Sequence, residues 1–212
     1  PLILDKLIQE GSIPPCVAVF LEYSSIHRMH EYNCNDAFTS FLGHDFIPML
    51  HDKNQLNITQ DARLITIVGQ SASGLAAFYA ALTKPTVFGN AIALSPSLEM
   101  QKLTDLEQKI EQHHKENPNM QFIFDIGTYE TIPVDLEFED GSTQSIATFE
   151  ANRRIADLME KKGMLIHRSE FIGGHNYGCW CANLPVHIKT IFEHRKVAIP
   201  SQQNKSVIIN KI

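Results

Sequence analysis

The sequence predicts an α/β fold in three layers, a mostly parallel central sheet covered by helices on both faces. Two observations carry this: short apolar runs alternate with longer amphipathic stretches, and no internal repeat replaces that alternation. A third bounds it. With 212 residues, 43% hydrophobic and 20% charged, the chain is long enough for one sizeable core and too apolar for disorder. Lys and Arg number 18 against 24 Asp and Glu, a net charge of −6 without a basic run, so a nucleic-acid partner is not expected. No apolar stretch is long enough to cross a bilayer, since Pro14 to Leu21 is followed by Glu22 and Ser24-Ser25. No membrane partner is expected either. Cys16, Cys34, Cys179 and Cys181 are too few for a disulfide framework, and reduced thiols in a cytoplasmic setting are the plainer reading.

Cys16 to Leu21 reads as a buried strand after Gly11 and Pro14-Pro15, and Asp36 to Leu50 as a helix with Pro48 kinking its end. Leu64 to Val68 is the strongest strand. It runs into Gly69-Gln70-Ser71-Ala72-Ser73-Gly74, after which Leu75 to Leu82 is helical. Ala91 to Leu94 is a strand ended by Ser95-Pro96-Ser97. Lys102 to Glu116 is a polar helix stopped by Asn117-Pro118-Asn119, and Gln121 to Ile126 is a strand. Thr131 to Ser145 shows no clear period and is expected to be a loop. Thr148 to Lys162 is a helix, Met164 to Phe171 the last strand, and Leu184 to Arg195 the closing helix. Residues 1–197 are expected to form one domain, with 198–212 a polar tail outside the main packing.

Strand, abrupt turn and helix around Ser71 is the setting of a nucleophilic serine in an α/β-hydrolase, where small residues two before and two after the serine keep the bent backbone free of clashes. Gly69 and Ser73 fill those positions, giving G-x-S-x-S rather than G-x-S-x-G. The order along the chain adds weight: a serine after a middle strand, an acid after a later one and a histidine after the last is the succession of this fold. Ser71, Glu130 and His175 stand in those places. His175, in Gly173-Gly174-His175-Asn176, would take the serine proton and return it to the leaving alcohol. Glu130 would orient the imidazole, with Asp125, Asp135 and Glu137 as alternatives. Metal readings compete poorly, because His27 and His30 are not in H-E-x-x-H and Cys179 and Cys181 lack further ligands at persuasive spacing. No cofactor is expected, and there is no Gly-rich phosphate cradle.

Several ordered blocks resemble the enterochelin (ferric enterobactin) esterases and the wider esterase-D-like family of the α/β-hydrolase superfamily. Leu4-Asp5 with Gly11 to Pro15 is similar to the family's helix-to-strand entry, and Arg28-Met29-His30-Glu31-Tyr32-Asn33-Cys34-Asn35 to its R-x-x-E-L-x-C-N block. Phe41-Leu42 through Ile47-Pro48 is similar to its F-L…E-L-I-P helix, and Pro85 with Phe88-Gly89 to its P…F-G strand entry. Gly69-Gln70-Ser71 with Gly74-Leu75-Ala76-Ala77 resembles its serine elbow. Gly173 to Trp180 resembles its G-G-H-D-x-x-C-W.

The resemblance implies a serine esterase acting on a small-molecule ester, with Ser71 and His175 catalytic and the acid after the strand that leads to Gly127, in support of Glu130. Ala72 would supply one oxyanion amide, and Arg28, Tyr177 and Trp180 would contact substrate. Two departures bear on substrate. Leu98-Glu99-Met100 stands where the siderophore esterases carry adjacent tryptophans, and Cys181 stands where the family often has Arg. A generic ester is therefore expected rather than a ferric catecholate. The family's other oxyanion donor follows an earlier strand, so N-terminal strands are expected upstream of Pro1. A non-catalytic, hydrolase-like binding domain is the alternative.

Overall fold

The computed structural model describes residues 2–21, 26–54, 58–116, 120–198 and 209–211. Glu22 and Ser24-Ser25, the helix stop at Asn117-Pro118-Asn119 and most of the C-terminal tail lie outside them. Four strands, β2 (Thr66–Gln70), β3 (Asn90–Leu94), β4 (Gln121–Gly127) and β7 (Leu165–Phe171), form a parallel sheet in that order. Each new strand is added on the same side of the last. Right-handed crossovers then send every connecting helix to one face. Those helices are α5 (Ala72–Thr83), α6 (Leu103–Glu116) and α7 (Thr148–Lys161).

Alternation along the strands divides the core in two. Ala91, Ala93, Phe122 and Phe124 face α5, α6 and α7, meeting Leu75, Phe78, Leu106, Ile155 and Met159. The small Ala91 and Ala93 leave room for Phe78, whose ring centroid lies 5.7 Å from those of both Phe122 and Phe124. Ile92, Leu94 and Ile123 face the other way, onto Trp180 and Ile191 of α8 (Tyr177–His194). Behind α8 lies α1 (Leu2–Gln9), whose Leu7 and Ile8 are packed with Ile13, Ile188 and Phe192. Helices therefore cover both faces of the sheet. Among the described residues no helix is long and apolar enough to cross a membrane.

Several boundaries differ from the sequence expectation. The helix expected over 36–50 runs as α3 (Asp36–Ser40), a π-wound segment (Phe41–Phe46) and α4 (Ile47–Asn54). Pro48 has no N–H for the His44 carbonyl, and the turn before it widens so that Ile47 N–H reaches back to the Leu42 carbonyl. The helix thus continues past Pro48, and Leu42, Phe46 and Leu50 are all buried. Thr131 to Ser145 is not a loop. It holds most of an antiparallel hairpin, β5 (Pro133–Glu137) and β6 (Thr143–Ala147), with Asp135 opposite Ser145. Val134, Leu136, Gln144 and Ile146 alternate inward, a period blurred in sequence by the acidic outer positions and by a glutamine on the inner face.

The closing helix begins at Tyr177, seven residues before the expected Leu184, because Asn176 Oδ1 caps it by accepting from Cys179 N at 3.1 Å. The first apolar run contributes only β1 (Ala18–Phe20), which pairs in parallel with β8 (Ile209–Lys211) in a separate two-stranded sheet. Ala62–Leu64 forms a 3₁₀ turn, so β2 starts later than expected and carries its backbone directly into Ser71.

Phe78 fills the space between two strands and three helices, so Phe78→Ala is expected to lower unfolding free energy by about 3–5 kcal/mol, read from urea denaturation. Burial pushes the Cys34 thiol up to about 12. Native-state alkylation with iodoacetamide near neutral pH should therefore modify Cys181, which is exposed, well before Cys34. Peptide mass spectrometry of a time course reads the order, and equal rates would contradict the burial argument.

Candidate active site

β2 ends at a serine held at φ 56° and ψ −128°, and α5 starts at the next residue. A non-glycine residue in that region is strained by roughly 1–3 kcal/mol and persists only where its surroundings hold it. Ser71 is held through both backbone groups. Its N–H donates to the Leu94 carbonyl at 2.9 Å, and its carbonyl accepts from Leu75 at 3.0 Å and Ser97 at 3.2 Å. A Cβ at Gly69 would lie 2.0 Å from the Ser73 carbonyl oxygen, so the turn demands glycine there. Ser73 is more than small: its hydroxyl donates to the Gln70 carbonyl at 2.7 Å and accepts from Gln70 N–H at 3.1 Å, bracing the bend from inside. The Ala72 amide is the first of α5 and has no acceptor one turn back within the helix, which leaves it available to an oxyanion beside Ser71.

On the same carboxyl edge of the sheet, the segment after β4 meets the segment after β7. Thr128 N–H bonds the Phe171 carbonyl and Tyr129 N–H the Gly173 carbonyl, both at 2.9 Å. Their close approach depends on Gly127, where a Cβ would stand 2.5 Å from the Gly173 carbonyl oxygen and 2.7 Å from Glu130 Oε1. Glu130 and His175 are drawn together by this junction. His175 Nδ1 lies 2.6 Å from Glu130 Oε2, and His175 Nε2 lies 2.7 Å from Ser71 Oγ. Glu130 is nearly sealed, its side chain 3% exposed against 39% for His175. Its Oε1 accepts from Gly127 N–H at 2.9 Å and from the Ser95 hydroxyl at 2.7 Å.

The other carboxylates stand elsewhere. Asp125 is fully buried on β4, where it accepts from Asn183 Nδ2 and lies 3.4 Å from His187 Nε2 beneath α8. Asp135 and Glu137 are on the exposed face of β5. Arg28 opens the short helix α2 (Arg28–Tyr32), which packs against α5. Tyr177 is exposed at the start of α8 and meets the Trp180 ring edge-on at 5.3 Å. Trp180 itself is buried, its ring 4.8 Å from that of His175 and its N–H donated to Ser95 Oγ at 2.9 Å.

Sequence reasoning missed Ser95, which is fully buried at φ 43° directly after β3. Its only signal was a serine at the end of the strand beside the elbow. Glu99 was noted only as a departure from the resembled family. Burial pushes its carboxyl above the usual range, while hydrogen bonds from its own backbone and Thr148 and the field of His175 pull it down.

With this geometry in view, the similarities to known proteins are informative. Residues 3–191 match the family described as "Putative esterase". The uncharacterized protein YjcH of Bacillus subtilis is 25% identical over 182 residues, covering 84% of this chain and 71% of that one. The iron(III) enterobactin esterase of Dickeya dadantii is 26% identical over 198 residues, 85% of this chain and 41% of that one. A crystal structure of the enterobactin esterase FES from Shigella flexneri, in the presence of 2,3-di-hydroxy-N-benzoyl-serine, superposes with a TM-score of 0.71 and 22% identity over 90% of this chain and 47% of that one. The chain thus spans less than half the length of the two enterobactin esterases, and the fold it shares with the Shigella structure is that of the α/β-hydrolases. The family match runs from α1 into the last turns of α8, taking in the whole four-stranded sheet and both loops that meet at Ser71, and the chain belongs to the "Putative esterase" family.

Proposed function

We propose that this chain is a serine hydrolase domain that cleaves carboxylic esters through an acyl-enzyme. One observation carries the reading over a purely binding role: a continuous hydrogen-bonded chain from Glu130 through His175 to Ser71, with contacts of 2.6 and 2.7 Å. Ser71 Oγ attacks the ester carbonyl carbon as its proton passes to His175 Nε2. The tetrahedral oxyanion accepts from the Ala72 amide, an interaction worth about 2.7–4 kcal/mol in comparable sites. The intermediate collapses, the C–O bond to the alcohol breaks, and His175 returns the proton to the departing oxygen. Water then attacks the acyl-enzyme by the same route, releasing the acid and restoring Ser71. Glu130 holds the Nδ1–H of His175 throughout. Every step uses side chains, backbone and water, so the reading calls for no metal or organic cofactor.

The relatives named for enterobactin support an ester substrate, while the residues after β3 argue for a simpler one. Leu98 is fully buried in the core and Glu99 is buried too, so this turn offers no aromatic stacking surface, and Cys181 supplies no cation where the family often has Arg. A small ester without a large anionic chelate fits this edge better. Tyr177, exposed beside Trp180, is the aromatic wall available to such a substrate, with Trp180 behind it and Arg28 at the rim. A cytoplasmic setting belongs to the same proposal, in keeping with four cysteines that stand as free thiols.

A fluorophosphonate probe should form one adduct, on Ser71, which disappears in Ser71→Ala; intact-mass and peptide spectra of folded protein check this, and an unlabelled wild type would falsify the catalytic reading. In assays with p-nitrophenyl acetate, His175→Ala should lower kcat on the order of 10³- to 10⁴-fold. Offered a ferric catecholate trilactone at the same concentration, the wild type should release little or no acid. Faster turnover of the trilactone than of the short ester would reverse the substrate assignment.

A further inference from the structure

Ser95 Oγ sits 2.9 Å from Trp180 Nε1 and 2.7 Å from Glu130 Oε1, in a buried site. The directions of these two bonds are not free. An indole N–H can donate but never accept. The Ser95 oxygen is therefore the acceptor in the first bond, and its single proton is left for Glu130 Oε1 in the second. Gly127 N–H adds another donor to the same oxygen at 2.9 Å. With Oε1 taken by two donors, Oε2 is the oxygen left to face His175, and a carboxylate accepting there puts the proton of the imidazole on Nδ1. Nε2 is then the bare nitrogen facing the Ser71 hydroxyl. The direction of the Ser95–Glu130 bond thus follows from one group on α8 that has no acceptor capacity.

We propose that Ser95 and Trp180 are positioning residues of this site: the Trp180 indole, acting through the Ser95 hydroxyl, fixes the Glu130 carboxylate and with it the working tautomer of His175. The inference rests on the ester-hydrolase reading and adds to it two residues that touch neither the nucleophile nor the attacked carbon.

The local backbone is built around this contact. Ser95 is held at φ 43°, a strained region for a residue with a Cβ, while its N–H extends the β3–β4 ladder to the Asp125 carbonyl at 2.5 Å. The ladder fixes the backbone, and the left-handed bend aims the hydroxyl between the indole and the carboxylate. Trp180 also meets the His175 ring nearly perpendicular, at 85° between planes, so one side chain sets the imidazole's position by contact and its proton by relay. If Trp180 were only packing, its N–H would need a partner but any acceptor would serve. Here the partner is a hydroxyl whose other bond goes to the acid.

The test uses the full chain, p-nitrophenyl acetate, and Trp180→Phe, Ser95→Ala and the double variant. Ser95→Ala should lower kcat about tenfold or more with KM within about twofold, and Trp180→Phe should lower it severalfold. The double variant should be no slower than Ser95→Ala alone, because both changes cut the same relay. The downfield proton resonance of His175 Nδ1–H, present in the wild type, should weaken in both single variants while far-UV circular dichroism stays native. Wild-type kcat in both variants, or losses that multiply in the double with the resonance unchanged, would overturn the proposal. Should Trp180→Phe lose its fold, kcat and the resonance in Ser95→Ala decide alone. A wild type that a fluorophosphonate leaves unlabelled overturns the ester-hydrolase reading itself, a result separate from any difference among these variants.

Discussion

The left-handed backbone of Ser71 is the constraint on which the rest of the site depends. A serine there gains nothing locally, and its strain of roughly 1–3 kcal/mol must be offset by neighbours. The offset is spread over three segments: the end of β3 through Leu94, the first turn of α5 through Leu75, and the turn after β3 through Ser97. Gly69 makes the bend sterically possible and Ser73 closes it from within. The sheet does not merely carry the serine: β3 receives Ser71 N–H at Leu94 on its β2 side, and on its other side Ser95 N–H is tied to Asp125 of β4, the strand that leads into the Glu130 turn. Strain at one residue is thereby tied to the position of an acid that lies far away in sequence.

What was legible in the sequence follows the range of the interaction. The strands of the main sheet show as apolar runs because both faces are covered, and the elbow shows because its glycine and its small residues are local requirements. Glu130 could be placed after the right strand, but four carboxylates shared that region. Only three-dimensional closeness separates Glu130, bonded to His175, from Asp125, sealed beneath α8 with Asn183. The β5–β6 hairpin escaped because one inward position is Gln144, whose side chain is used instead to bond the carbonyls of Glu99 and Gln101. A polar residue doing the work of a clamp looks like a break in the period. Ser95 and Trp180 meet across 85 residues of sequence, and nothing local marks that pairing.

The hairpin and the departures from the resembled family belong together. Gln144 holds the turn that contains Leu98, Glu99 and Met100, and Leu98 is sunk into the core rather than offered to solvent. A pair of tryptophans at this turn would present stacking surface, whereas here the apolar residue packs inward and the neighbouring carboxyl is sealed beside the start of α7. This part of the edge is therefore a clamped turn with its leucine packed inward and its carboxyl enclosed.

Exposure changes steeply along the hydrogen-bonded chain, and that gradient explains why the relay is built as it is. Glu130 is almost wholly enclosed while His175 is open to solvent on one side. An enclosed carboxylate is costly unless its oxygens are satisfied, and both oxygens of Glu130 have partners: Gly127 N–H and the Ser95 hydroxyl donate to Oε1, and His175 Nδ1 lies against Oε2. Satisfaction alone would be met by waters or by any hydroxyl free to turn. In the proposed arrangement a hydroxyl that accepts from an indole keeps its proton turned away from Nε1 and toward Glu130, which is what Trp180 adds to simple satisfaction. On the proposed serine-hydrolase reading, the open end at His175 and Ser71 is the part that meets substrate, while the enclosed end holds the carboxylate in place.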